Sequence, residues 1–133
     1  MTSPSPSIFS RLIAGEFPCE KIFEDERFFA FLDIRPIAPG HTLVVPKVQV
    51  DKIYEVEDDT LSGLMPFAAR VARALEKAVP CTRVGMMVAG FEVPHAHVHL
   101  VPIQTEGDLS FSHAKPATKE NLAAIGGAIR AAL

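Results

Sequence analysis

Residues 95–102 read HAHVHLVP. Imidazoles at 95, 97 and 99 alternate with Ala96, Val98 and Leu100, and the whole chain holds only 5 histidines. Successive side chains of an extended strand point to opposite faces. The period of two therefore predicts a β-strand with His95, His97 and His99 on one face and Ala96, Val98 and Leu100 turned toward a core. The imidazole face is then the one that meets solvent or a cleft.

Outward from this stretch, the pattern fills in a fold. RVGMMVAG (83–90) is continuously apolar and predicts a buried neighbouring strand. Residues 58–79 carry Leu61, Leu64, Ala68, Val71, Ala72, Leu75 and Val79 on one helical stripe. Asp58, Asp59 and Thr60 suit the start of that helix, and Pro66 is expected to kink it. KIFED (21–25) and FFAFLD (28–33) read as strands around a charged turn, and HTLVVP (41–46) as a third strand after the turn-rich RPIAPG (35–40). Ser7 can cap a short helix bearing Ile8, Phe9, Leu12 and Ile13, which Gly15 stops. Residues 104–118 are polar and irregular, with His113 solvated. Residues 119–133 form a small-residue helix weakened by Gly126 and Gly127. Strands cluster instead of alternating with helices. The expected class is α+β: a mostly antiparallel five-stranded sheet with a long helix packed on it and a C-terminal helix.

Composition narrows the function. The 133 residues suit one domain, 48% apolar and 22% charged. The net charge of -3 offers no basic stripe for a nucleic-acid backbone. No apolar run approaches the ~20 residues of a membrane span. MTSPSPS does not read as a secretory signal, and residues 1–6 of it are expected to be a frayed tail. Cys19 and Cys81 sit in no C-x-x-C, which favours buried free thiols and a cytoplasmic setting.

Three imidazoles in alternation admit three readings. They can be an exposed strand face. Two at i and i+2 can share a zinc ion, although three span ~13 Å along a straight strand, awkward around bonds of ~2 Å. Or one can act as a nucleophile, because neutral imidazole is available near pH 7 and attacks phosphorus when its other nitrogen is held by an acceptor.

HAHVHLVP resembles the defining motif of the histidine triad (HIT) superfamily, His-φ-His-φ-His-φ-φ with φ apolar. FSRLIAGEFP, LDIRPIAPGHTLVVPK and GFEVPHAHVHLVP are similar to its Hint-like branch. The resemblance covers about residues 7–102, taken as the HIT domain, with 103–133 as a loop and helix packing on it. It implies a nucleotide hydrolase or nucleotidyl transferase acting at the α-phosphate of purine nucleoside phosphoramidates or related esters. His97 would be the nucleophile, through a nucleotidyl–histidine intermediate. The His95 carbonyl would orient His97, and His99 would bond the phosphate. His41 matches a fourth family histidine. Asp33 matches the acceptor of the ribose hydroxyls, and Ile8, Phe9, Leu12, Phe31 and Ile34 match the wall of the base pocket. A homodimer is implied, with the long helix and RVGMMVAG in contact. No cofactor, nucleic acid or membrane partner is expected.

Departures from the pattern are specific. Some relatives hold a structural zinc where this chain has Ser7, Ser10 and Gln49, so no such metal is expected. Many members carry Gly-Gln-Ser/Thr-Val before the triad, where this chain has Gly90-Phe91-Glu92-Val93. Glu92 could still serve the leaving group if burial raised its pKa. A phosphate-contacting asparagine is missing from MMVAG, and Ile103 replaces a frequent arginine. Diadenosine polyphosphate hydrolysis, nucleotide binding with little turnover, and a metal-binding histidine cluster stand as alternatives.

Overall fold

The β-forming runs at the centre of the chain pair as their alternation demands. In a computed structural model that describes residues 5–133, strands β1 (Lys21–Glu24), β2 (Phe28–Leu32), β3 (Thr42–Pro46), β4 (Arg83–Met87) and β5 (Val98–Ile103) form one sheet in the order β1-β2-β3-β5-β4. Every pairing is antiparallel. Helices α1 (Ile8–Ile13), α2 (Asp58–Ala78) and α3 (Lys119–Ala132) complete the fold, with short 3-10 turns at Ile53–Glu55, Glu106–Asp108 and Phe111–His113.

The period of two divides the sheet into two buried faces. Ala30, Leu32, Val44, Val98 and Leu100 pack against Leu64, Phe67, Val71 and Leu75 of α2, with Ile129 of α3 in the same core. Phe29, Phe31, Leu43 and Val45 face the other way and pack against Phe9 of α1. Leu43 stands opposite His99, so this second face carries the imidazoles.

Several sequence expectations shift here. β5 starts at Val98, not at His95. The last β3–β5 pair is Val44 with Val98, and Ala96 N–H donates to the Val50 carbonyl at 2.7 Å instead of joining the ladder. The imidazole face is not open to solvent: His95, His97 and His99 are only 0%, 6% and 4% exposed. β4 is shorter than 83–90 and half-exposed, because it lies at the sheet edge and pairs with β5 alone. α2 continues as one helix through Pro66, and the kink expected at that proline stands as an expectation. Pro66 and Ser62 both lie on its exposed side, where water can take the Ser62 carbonyl. Phe67 and Ala74 widen its buried stripe beyond the one read from the sequence. Cys19 and Cys81 are free but only partly buried. Most of the expected N-terminal tail lies outside the described residues.

Candidate active site

The site is assembled where β3 begins beside β5. Gly40 turns the chain at φ +95°, and a Cβ there would lie 2.8 Å from Leu75 Cδ1, so only glycine fits. His41 follows, fully buried, with its N–H on the Ala38 carbonyl at 3.0 Å.

Hydrogen-bond partners then fix the tautomer of each neutral imidazole, since an amide only donates and a carbonyl only accepts. Ile37 N–H donates to His41 Nδ1 at 3.0 Å, which leaves the His41 proton on Nε2. That N–H donates to His99 Nδ1 at 2.9 Å. The His99 proton is therefore on Nε2, free of any partner among the described residues. His97 Nδ1–H donates to the His95 carbonyl at 2.7 Å, so the His97 Nε2 lone pair is the one left available. The His97 and His99 ring centroids are 4.8 Å apart. A bare acceptor nitrogen thus sits beside a ring with a free N–H.

Burial keeps the supporting rings neutral. It lowers the His99 pKa to about 3, helped by the charges His97 and His41 would carry. It also lowers that of His41 against the pull of Asp33, and that of His95 against the Pro46 carbonyl. Asp33 Oδ2 lies 3.7 Å from His41 Nε2, and Asp33 Oδ1 accepts from Arg35 N–H at 2.9 Å.

His95 is set apart from the other two. Its Nε2–H donates to the Pro46 carbonyl at 2.6 Å, and its Nδ1 lies 2.7 Å from the Ser7 hydroxyl. Only its backbone carbonyl turns toward His97. The triad rings consequently do not converge on one point. Ligand atoms of Asp33, His41 and His99 do lie within 4.8 Å of one another. The His41 and His99 nitrogens in that group already bond each other, and a cation there would first have to break that bond.

The residues matched to a base pocket divide. Phe9 and Phe31 are buried edge to face, with centroids 5.4 Å apart, and Leu12 packs against the same cluster. Phe9 also stands edge-on to His97 at 5.0 Å. These three are packed floor beneath the imidazoles. Ile8 and Ile34 are exposed and free to meet a ligand. Glu92 is exposed as well, so the burial that would have made it an acid is absent, and Phe91 beside it is 99% exposed. Sequence reasoning missed Phe111, whose ring stands edge-on to His99 at 5.1 Å. A lone aromatic residue in the polar stretch 104–118 was the available signal. It also missed the Ile37 amide and the Pro46 carbonyl, which leave no trace in side-chain identity.

The antiparallel sheet thus presents a hydrogen-bonded pair of buried imidazoles, His41 and His99, beside the bare Nε2 of His97. The HIT domain model matches residues 14–106, and the chain belongs to the HIT family. It is 36% identical over 106 residues to the Saccharomyces cerevisiae protein named adenosine 5'-monophosphoramidase HNT1, covering 79% of this chain and 67% of that one. It is 35% identical over 106 residues to the protein hit of Bacillus subtilis, covering 76% and 73%. Its fold matches a crystal structure of a Hit-like protein described as involved in cell-cycle regulation from Bartonella henselae, with TM-score 0.87, 31% identity and 100% of both chains covered. No helix among the described residues is long and apolar enough to cross a membrane.

Proposed function

We propose that this protein is a nucleotide hydrolase or nucleotidyl transferase whose nucleophile is His97 Nε2. The substrate is a purine nucleoside phosphoramidate or related nucleotide ester, attacked at the α-phosphate. A bond forms from Nε2 to phosphorus while the bond from phosphorus to the leaving amine or alkoxide breaks, and the leaving group takes a proton from solvent. Water then cleaves the nucleotidyl–histidine bond, releases a proton and restores neutral His97. The His99 Nε2–H stabilises charge on the phosphoryl oxygens. Asp33 accepts from the ribose hydroxyls, and Ile8 and Ile34 border the base.

The observation that carries this reading is the 2.7 Å bond from His97 Nδ1–H to the His95 carbonyl. It aims an unprotonated Nε2 outward, as nucleophilic attack requires. The relatives named as adenosine 5'-monophosphoramidases support the substrate class. Incubation with an adenosine phosphoramidate should release nucleotide and leave a covalent adduct visible by intact mass. His97→Asn should lower turnover by at least about a thousandfold. A folded wild type that releases nothing and takes no label, or a His97→Asn variant that keeps the rate, would refute it. Diadenosine polyphosphates in the same panel separate that substrate class.

A reading with little turnover is favoured by Phe111 against His99 and by the exposed Glu92. It predicts nucleotide-dependent thermal stabilisation without hydrolysis. We further infer a homodimer joined at the β4 edge. An apolar hollow of about 310 Å³ there is bounded by Ile53, Leu61, Met65, Met86 and Val88.

A further inference from the structure

We propose that Ser7 is a positioning residue for the nucleophile: by holding the buried His95 ring, it aims the backbone carbonyl that keeps His97 in its attacking tautomer. The proposal rests on the hydrolase reading of His97 and adds to it a group far away in sequence.

The segment from His95 to His97 precedes β5, so no strand ladder sets its direction. Besides the local turn in which His95 N–H donates to the Val93 carbonyl at 2.8 Å, two anchors tie it to distant parts of the chain. One is the bond from Ala96 N–H to the Val50 carbonyl. The other is the His95 ring, 0% exposed and paired at both nitrogens. The Pro46 carbonyl can only accept, so the His95 proton is on Nε2. Nδ1 must then accept, and its close donor is the Ser7 hydroxyl at 2.7 Å. Ser10 Oγ is farther, at 3.4 Å. Burial lowers the His95 pKa and keeps this arrangement neutral.

Ser7 is more than a helix cap. Its oxygen accepts from Ser10 N–H at 3.0 Å, which alone would cap α1. The same hydroxyl also spends its one proton on His95. A helix of 6 residues has little stability of its own. It is pinned here by Gln49, whose Oε1 accepts from Ser7 N–H at 2.7 Å and from Ser10 Oγ at 2.8 Å. Phe9, on the same turn, presses on the His97 ring. Docking of α1 therefore reaches the nucleophile by two routes, an aromatic contact and the Ser7–His95 bond. Without the hydroxyl, Nδ1 becomes a buried acceptor lacking a donor. Ser10 Oγ, 3.4 Å away, already gives its proton to Gln49 Oε1, so the ring recovers a partner by turning or by admitting water, and either displaces the His95 backbone.

The test pairs kinetics with imidazole nitrogen NMR on the full chain. Ser7→Ala should lower kcat about ten- to a hundredfold, the scale of an ångström-level misplacement, while KM for an adenosine phosphoramidate stays within about twofold. Its His97 Nδ1–H resonance should broaden or vanish. Ser7→Thr keeps the hydroxyl and should restore both. Gln49→Ala loosens α1 but leaves His95 its donor, so it should lower stability with a smaller loss of kcat. The wild type itself should show His95 as the Nε2–H tautomer, a measurement that stands even if Ser7→Ala does not fold. An unchanged kcat in Ser7→Ala overturns the proposal. So does a slower Ser7→Ala with an intact His97 resonance, an equal loss in Gln49→Ala, or a wild-type His95 protonated at Nδ1. Because the spectra need no substrate, a wild type inert toward nucleotides would refute the hydrolase reading while the Ser7–His95–His97 linkage was still decided.

Discussion

His99 shows how burial sets both chemistry and stability. Its pKa of about 3 stems first from burial, then from the charges of His97 and His41. An unfolded imidazole titrates near ~6.5. As pH falls below that value, the unfolded chain binds protons that native His99 refuses. The same direction holds for His41 and His95, both lowered by burial. Stability is therefore complete above about pH 6.5 and is lost as pH drops toward 3. Urea midpoints should decline between about pH 6.5 and 5, a window above the carboxylate range. His99→Asn, which cannot titrate, should flatten that decline; a level wild-type midpoint across the window would contradict it. His41→Ala is more severe. It strands the Ile37 N–H and His99 Nδ1, both buried, and should cost on the order of 2–5 kcal/mol in denaturant melts. At this scale the alternation of HAHVHLVP made the histidines legible. Of their proton positions, only that of His97 was given, by the resemblance that pairs it with the His95 carbonyl; those of His41 and His95 are set by the Ile37 amide and the Pro46 carbonyl, which no side chain announces.

Elements were legible where periodicity was strong and misread where a neighbour decides. The stripe on α2 follows from spacing alone. The start of β5 does not. Pro46 has no N–H to continue the ladder beyond Val44, and its carbonyl is taken by the His95 ring, so pairing stops at Val98 and leaves His95 and His97 outside the ladder. β4 reads as buried because a continuous apolar run has no period to reveal an edge. α3 illustrates the same limit with its two glycines, which look equivalent in sequence. At Gly126 a Cβ would lie 2.6 Å from Glu20 Cγ, and Glu20 pairs with Arg130 at 2.7 Å. At Gly127 the nearest atom is 4.0 Å away. Gly127→Ala should raise stability by about 0.5–1 kcal/mol, through higher helix propensity and a stiffer unfolded chain. Gly126→Ala should forfeit that gain by displacing Glu20 from Arg130. Paired thermal melts separate the two, and equal shifts would show that Glu20 does not constrain the helix.

For the molecule as a whole, the two edges of the sheet are treated differently. β1 is blunted by charge: Lys21 pairs with Glu24 at 2.8 Å, Lys47 also reaches Glu24, and Arg130 donates to the Lys21 carbonyl. β4 carries a charge only at its first residue, Arg83, which forms no ion pair among the described residues. Met86 is 40% exposed, Val88 just beyond the strand is 45% exposed, and Met65 of α2 is exposed beside them. A bare apolar edge invites uncontrolled strand pairing, and a contiguous apolar patch marks an interface. A two-fold axis resolves this economically, since it sets the same patch of each copy against its counterpart and closes the assembly. The proposed dimer therefore makes a sharp prediction. Met86→Lys together with Val88→Lys would set like charges against each other across the axis, which should weaken association by at least about a hundredfold, or ~2.7 kcal/mol. Sedimentation should move from dimer to monomer. The wild-type melting temperature should rise with protein concentration, and that of the variant should not. A wild type that sediments as a monomer at micromolar concentration, with a concentration-independent melt, would leave the β4 edge uncovered and remove the dimer from the proposal.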